Sequence, residues 1–396
     1  VFRWLGQLFA VTLVSIRTIP QRLSSSIVAV IGIAGVVVVL VSVLSIGEGF
    51  RAAVQGTGSP DRAIVLRNGS QSEMTSGLTG PETDIIKQAP GIAHDGGRPV
   101  AAAELFVVVD LPKRSTGTPA NVPIRGIEPE SIPIRPELKI IQGRAPQLGT
   151  NEAMVGRAAQ SQFQGIDLGN TYTTGQLALK IVGIFETNGS SAESEIWCDS
   201  KVLQGAYRRG NSYQSVLVRL DSPASYDNFK NWLTTNPQLN VEPKREQEFY
   251  AGQTQVMTGL IDSIGYTISL LMALGAIFGA VLTMYTAVAT RTREIATLRA
   301  LGFNTTSVLV SVVGESLVLA FIGGAAGAFL AYIGFNGYET STMNFSSFSQ
   351  IAFAFHVTPA LLTQGLVWAL MIGLLGGLFP AIRASRLPIA SALREL

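Results

Sequence analysis

"TRTREIATLRALGF", Thr290 to Phe303, packs three arginines and a glutamate between two long uncharged runs. No charged residue occurs from Ser263 to Thr290 before it, and none from Ala300 to Gly314 after it. A helix crosses a bilayer core with about 20 apolar residues. Two such runs around a dense charged knot mark a place where the chain leaves a membrane and turns back.

Working outward, residues 23–47 form another uncharged run, and residues 361–382 a further one. With 263–290 and with 306–334, interrupted only by Glu315, these make four expected membrane helices. The first is too long for a cleaved signal peptide, starts behind an arginine-bearing segment, and is followed by no A-x-A site. Arginines set the orientation. Arg3, Arg17 and Arg22 precede the first span, Arg291, Arg293 and Arg299 separate the second from the third, and Arg383, Arg386 and Arg394 follow the fourth. All three groups fall on one side, which places the N-terminus, the knot (291–305) and the tail (383–396) in the cytoplasm of a cell with an inner membrane. Residues 48–262 then lie outside it, and 335–360 form a short loop on that same far side.

Composition agrees. Charged residues make up 14% of the 396-residue chain, against about 25% in soluble domains, and mean hydropathy is +0.33. A net charge of +2 without a basic tract speaks against a nucleic-acid partner. The single cysteine, Cys198, excludes an internal disulfide, and with only His94 and His356 a metal centre or a serine–histidine triad is not expected. Residues 1–22 place Trp4, Leu8, Val11 and Ser15 at helical spacing between Arg3 and Arg17, which suits a helix lying on membrane lipids.

Between the first two spans the composition turns to Pro, Gly, Ser, Thr and Asn. "AIVLRNG" at Ala63, "ELFVVVDL" at Glu104, "VPIRGI" at Val122, "LALKIVGIF" at Leu177 and "SVLVRL" at Ser215 predict strands. "GPETDIIKQAPG" predicts a helix with Pro81 in its first turn, and "SYDNFKNWLTTN" one with Phe229, Trp232 and Leu233 on one face. The expected fold is therefore four transmembrane α-helices with a large α+β extracytoplasmic domain between helices 1 and 2, built of one or two subdomains. No catalytic constellation stands out. Asp110, Glu128, Glu130 and Glu193 read as solvated charges.

Within the spans, Glu315 must face a partner or water. No second acid or base shares the membrane, so a buried hydrogen-bonded group near the cytosolic end is the preferred reading over a proton site. Gly275 and Gly279, and likewise Gly323 and Gly327, have the small-x-x-x-small spacing that permits close helix approach. In the knot, Ile295, Leu298 and Leu301 recur every three residues, Arg291 and Glu294 are spaced to pair, and Gly302 is placed to end a helix. Periodicity leaves two readings open: a short docking helix, or a connector held at the headgroups.

"RTREIATLRALGF" resembles the R-x-x-E-I-x-x-L-R-A-x-G signature of the MacB/FtsX-like ABC transporter permease family. "GESLVLAFIGGAAGAFLAY" is similar to that family's third span, and "GLLGGLFPAIRASRLPIASALREL" to its last span and tail. "SIGEGFR" and "EAMVGRAAQSQFQGIDLGNTYTT…LKIVGIFETNGS" extend the likeness to the first span and the large domain. In "RLPIASALR" no aspartate precedes the proline, as it does in many members. The resemblance implies a mechanotransmitting half-transporter of the type VII fold. Two permease chains, alike or related, would pair with two copies of a separate ATPase. Arg291, Arg293, Glu294, Ile295, Leu298, Arg299 and Gly302 would form the helix that couples to it. The chain has no G-x-x-x-x-G-K-[ST] run and no Gly-Lys pair, so it lacks the loop that cradles nucleotide phosphates. ATP and Mg would be bound by the partner, and this chain would carry no cofactor and catalyse nothing. Three uses compete within the family: efflux of a drug, peptide or lipid-like substrate with a periplasmic adaptor and outer-membrane channel, release of lipoproteins, and force transmission to a cell-wall hydrolase. The large domain favours the first two. A ligand-binding membrane receptor is the rival outside the family.

Overall fold

The computed structural model describes residues 23–290, 292–301, 304–344 and 348–386. The lipid-lying segment expected over 1–22 falls outside them. The chain divides into two compact units, one of residues 1–48, 260–338 and 355–396, the other of residues 49–259 and 339–354.

Among the described residues, the second unit carries all the strands. Helix α1 (Leu23–Gln55) leads through a turn into β1 (Arg62–Arg67), β2 (Leu78–Thr79) and helix α2 (Gly80–Ile86). Helix α2 starts at Thr79, whose backbone N–H donates to the Glu82 carboxylate at 2.8 Å while its hydroxyl accepts from the Glu82 N–H, with Pro81 preset in the first turn. There follow β3 (His94–Asp95), β4 (Arg98–Pro99), β5 (Ala101–Pro112), β6 (Pro119–Ile127), β7 (Lys139–Gly143), β8 (Glu152–Gly156), α3 (Arg157–Gln162), β9 (Thr171–Thr174) and β10 (Leu177–Glu186). After these come β11 (Ile196–Asp199), α4 (Ser200–Ala206), β12 (Ser212–Tyr213), β13 (Ser215–Arg219), α5 (Tyr226–Thr235) and β14 (Val241–Arg245). Each run singled out as strand-forming falls in a strand, apart from Asn68, Gly69 and Leu220 at the ends of their runs. In β10, Leu177, Leu179 and Ile181 are buried and alternate with Ala178, Lys180 and Val182, as a strand with one covered face requires.

Ten strands form one mixed sheet in the order β14-β1-β13-β5-β6-β11-β8-β10-β7, with β9 on β10. Strand β5 spans two halves of it. Residues Ala101 to Glu104 pair with β13, and Leu105 to Pro112 pair with β6. Each half has its own core. One gathers Val65, Ile86, Val216, Phe229 and Leu233, with Trp232 packed against it. The other gathers Leu105, Val107, Ile124, Val155, Ile181 and Cys198. The Phe229/Trp232/Leu233 face of α5 is thus seated on the first.

Helix α6 (Glu246–Thr290), α7 (Thr292–Ala300), α8 (Thr305–Phe335) and α9 (Pro359–Ser385) complete the α-helices among the described residues. The run 263–290 is the last part of the longer α6. Residues 335–360 are not a plain loop. They include a hairpin, β15 (Glu339–Asn344) and β16 (Ser349–Ala354), and this hairpin belongs to the α+β unit. Ile351, Ala352 and Phe353 are buried there, and Phe353 meets Phe50 edge-on at 5.7 Å. Its partners lie far away in sequence, so the polar first strand and the short apolar run from Ile351 to Phe355 do not by themselves say where the hairpin packs.

In the other unit, α1, α6, α8 and α9 are each long and apolar enough to cross a membrane. Ile33, Val36, Val37, Leu40 and Val41 of α1 pack with Ala320 and Ala331 of α8 and Leu361, Ala369 and Ile372 of α9. Half of the apolar window is buried in α1 and in α8 and 44% in α9, but only 22% in α6, which is the least enclosed of the four.

Candidate functional site

Helix α7 fills the knot. Ile295 and Ala296 are buried, and Ile295 joins a cluster with Val288 at the end of α6, Val308 and Val312 at the start of α8, and Ala381 and Ala384 at the end of α9. Arg293, Glu294 and Thr297 are exposed. The helix therefore presents a polar face while one apolar turn pins it to the converging helix ends. The apolar stripe expected from Ile295, Leu298 and Leu301 is not one face. Leu301 is 73% exposed, beyond the last turn. Three-residue steps fall short of a full turn by about 60°, so positions 295 and 301 diverge by roughly a third of the circumference. Arg299 is half-buried. Arg291, with its expected pairing to Glu294, and Gly302 lie outside the described residues, and Leu298 is placed by its backbone alone. Of the tail arginines, Arg383 and Arg386 end α9 exposed, and the Arg383 guanidinium sits 5.6 Å from the Tyr285 ring centre on α6. Arg394 lies outside the described residues.

Deeper in the bundle, Glu315 is buried, and the neighbouring Ser316 hydroxyl donates to the Gly373 carbonyl of α9. The two glycine pairs part company. A Cβ on Gly323 would stand 2.9 Å from the Val30 carbonyl oxygen, and one on Gly327 2.6 Å from that of Ala34, so α8 lies directly on the α1 backbone. A Cβ on Gly275 or Gly279 would meet no atom of another helix within 4 Å among the described residues. A further row on α9, Gly365, Ala369, Gly373 and Gly377, repeats every four residues, with Gly365 against Val37 and Val41 and Gly377 against Ser316. This row was visible in the sequence as a four-residue repeat of small side chains.

Two of the four acids read as solvated charges, Glu193 and Glu128, are held inward by hydrogen bonds. Glu193 is buried and accepts from the backbone N–H groups of Thr187 and Gly189, both at 2.6 Å. Glu128 accepts from Lys87 at 2.7 Å and from the Ala103 N–H at 2.7 Å. Asp110 is exposed and Glu130 half-buried. Loop carboxylates turn inward here because they satisfy backbone donors that the turns leave open.

The strongest polar feature was not legible from local sequence. Where β5 changes partner, Arg125 of β6 donates to Glu195 (2.6 and 2.8 Å), Glu73 (2.8 and 3.0 Å) and Glu104 (2.8 Å). Arg135 makes a two-pronged contact with Glu104 at 2.7 and 2.9 Å and lies over the Trp197 ring at 4.9 Å. Arg62 binds Glu246, the first residue of α6, at 2.6 Å and also Glu137. All of these except Glu137 are buried. Burial alone would raise the Glu104 carboxyl, but Arg135 and Arg125 outweigh it and hold it at about 2. Burial likewise opposes the charge on Arg125, yet Glu195, Glu73 and Glu104 keep it protonated. For Glu246 burial wins, and its carboxyl is raised despite Arg62. Glu104 so firmly ionised is a structural ion, not a group poised to pass protons near neutrality. Cys198 is buried in β11, and burial pushes its thiol up, so it is inert. Among the described residues no group of three metal-ligating side chains forms.

The MacB-like periplasmic core domain family matches residues 26–236, more than half of the chain, and the FtsX-like permease C-terminal family matches residues 266–389. The macrolide export ATP-binding/permease protein MacB of Pasteurella multocida (strain Pm70) is 26% identical over 312 residues, covering 73% of this chain and 45% of that protein. The macrolide export ATP-binding/permease protein MacB 1/2 of Paracoccus denitrificans (strain Pd 1222) is 24% identical over 390 residues, covering 92% of this chain and 55% of that protein. The chain thus spans about half the length of the curated relatives it matches. The crystal structure of the periplasmic region of MacB from Actinobacillus actinomycetemcomitans aligns with a TM-score of 0.37 and 12% identity, over 50% of this chain and 94% of that one. With the first apolar helix and most of the α+β unit matched by one family and the last three apolar helices by the other, this chain belongs to the MacB/FtsX-like ABC transporter permease family.

Proposed function

We propose that the chain is a permease subunit through which ATP hydrolysis by a separate ATPase moves the periplasmic domain, driving export of a drug, peptide or lipid-like substrate. The observation that carries this reading is α7. It is anchored by Ile295 and Ala296 at the gathered ends of α6, α8 and α9, and it offers Arg293, Glu294 and Thr297 outward. A short, firmly based helix with a polar outer face is built to receive a push from a protein docked on it. Arg293, Arg299, Arg383 and Arg386 belong to the segments at that same end of the bundle, which favours a cytoplasmic location for it and an inner-membrane chain with its large domain outside. Two permease chains, two ATP-binding subunits, a periplasmic adaptor and an outer-membrane channel complete the assembly. The relatives named for macrolide export make a macrolide the first substrate to try.

The test is Glu294→Lys in the full complex purified from native membranes with its ATPase. A docking helix loses stimulated ATP hydrolysis and macrolide export at normal membrane abundance, because a reversed charge at a protein contact costs affinity. A headgroup-anchored connector tolerates the change, since a lysine strengthens the cytoplasmic positive bias. Wild-type export by the variant sinks the coupling role. Mass spectrometry of the same preparation decides whether the ATPase travels on its own chain. Orientation is read by labelling Ser115→Cys, at the exposed β5–β6 turn, with an impermeant thiol reagent, the buried Cys198 serving as the silent background.

A further inference from the structure

Within the α+β unit, two lengths of chain that continue into the other unit bond to one short segment, Ser190 to Glu195, and a third bonds to the second and lines a cavity beside that segment. The first follows α1. The Thr57 hydroxyl lies 2.9 Å from the Ser191 hydroxyl and accepts from the Ser191 N–H at 2.9 Å. The second is the hairpin. The Ala352 N–H donates to the Ser194 hydroxyl at 2.9 Å, and Asn344 donates to Gln253 at 3.1 Å. The third is the first turns of α6, which supply Tyr250 and Gln253. A cavity of about 30 Å³, room for one or two waters, lies at the centre, lined by Ser191, Glu195, Arg125, Tyr250, Gln253 and Ser349 among others. Behind the segment, Arg125 locks Glu195 with two bonds, and Glu195 also accepts from the Trp197 ring N–H at 2.7 Å.

We propose that Ser190–Glu195, backed by Arg125, is the positioning joint that ties α1, α6 and the β15–β16 hairpin into one moving body, so that displacement of any of them is delivered to both halves of the sheet. This rests on the mechanical reading above. The geometry points to it because the joint is polar and small. Thr57, Ser191, Ser194, Gln253 and Asn344 offer short directional bonds that hold three elements in register, where apolar packing alone would let them slide. Glu195 transmits that register to Arg125 at the seam of the two half-sheets, through Glu73 and Glu104.

The experiment is hydrogen–deuterium exchange of the full chain in complex with its ATPase, with and without vanadate-trapped nucleotide. The variants are Thr57→Val, its conservative counterpart Thr57→Ser, and Ser194→Ala. In the wild type, trapping is expected to change exchange at Ser190–Glu195 and at Ser349–Ala354 together, by about fivefold or more. Thr57→Val and Ser194→Ala should lose that linked response while keeping the melting temperature of the wild type, and Thr57→Ser should restore it. A merely structural hydroxyl would shift the melting temperature and leave the linkage intact, which overturns the joint. A response in 292–300 with none at Ser190–Glu195 also overturns it, but leaves the transporter reading standing. No response anywhere in the chain overturns both.

Discussion

The membrane bundle and the α+β unit are held together by opposite means. In the bundle, glycines bring backbones together: Gly323 and Gly327 lie on α1, and Gly365, Gly373 and Gly377 line α9. In the α+β unit, two apolar cores flank a seam of buried ions. The difference is one of solvent. Lipid tails are as apolar as leucine, so membrane helices gain from close fit and not from escaping water. A water-facing domain gains from burying apolar surface. It can then afford interior charges where each is paired, although such pairs seldom add net stability.

Arg125 is the most vulnerable point of the buried seam. Arg125→Met leaves Glu73, Glu104 and Glu195 buried without their shared cation, and is expected to cost about 3–5 kcal/mol. Thermal unfolding of the full chain in detergent should show it as a melting temperature lowered by roughly 10 °C. A loss within the scatter of surface substitutions would mean that the seam is not a unit. Acid probes the same seam. Glu104 is held at about 2, below its ordinary value of 4.5, so its contribution is present above pH 4.5 and disappears as pH falls through about 2. Glu246, raised by burial, has the opposite sign and softens the loss. Melting temperatures from pH 7 down to pH 2 should therefore hold to about pH 4.5 and then fall by an amount worth a few kcal/mol. A fall centred at pH 6 would assign the dependence to another group.

Glycine substitutions sharpen the bundle side. Gly327→Leu drives a side chain into the α1 backbone, which cannot yield as a side-chain tip can. It is expected to cost about 1–3 kcal/mol or more, read as reduced membrane abundance and increased protease sensitivity. Gly279→Leu, with open space around it, should change the stability of the single chain by less than about 0.5 kcal/mol. If its abundance holds while the dimer fraction in cross-linking drops, the open α6 face is where a second permease packs. If neither changes, that face meets lipid alone.

The glycine pairs also show where local reading stops. Gly275-x-x-x-Gly279 and Gly323-x-x-x-Gly327 are the same pattern, yet one is packed and the other open. The four-residue spacing does not distinguish them; what differs is which helix arrives alongside. The knot was legible as a helix because its charges, its isoleucine and its position between apolar runs are local facts. Which of its apolar residues point inward was not, because Leu301 falls beyond the last helical turn.

Local sequence sufficed for the four apolar helices, the α7 turn between the second and third, and, in the large domain, strands β1, β5, β6, β10 and β13 with helices α2 and α5. Each of these rests on properties of neighbouring residues: apolar run length, alternation in β10, the Thr79–Glu82 cap. Only the tertiary structure decided that Arg125 collects carboxylates 52, 21 and 70 positions away. It alone decided that residues 339–354 leave their neighbouring helices to join the α+β unit, and that one glycine pair is covered. Those outcomes depend on strand register and on helix pairing. Both are selected by free energies summed over the whole fold, and no short stretch of chain carries them.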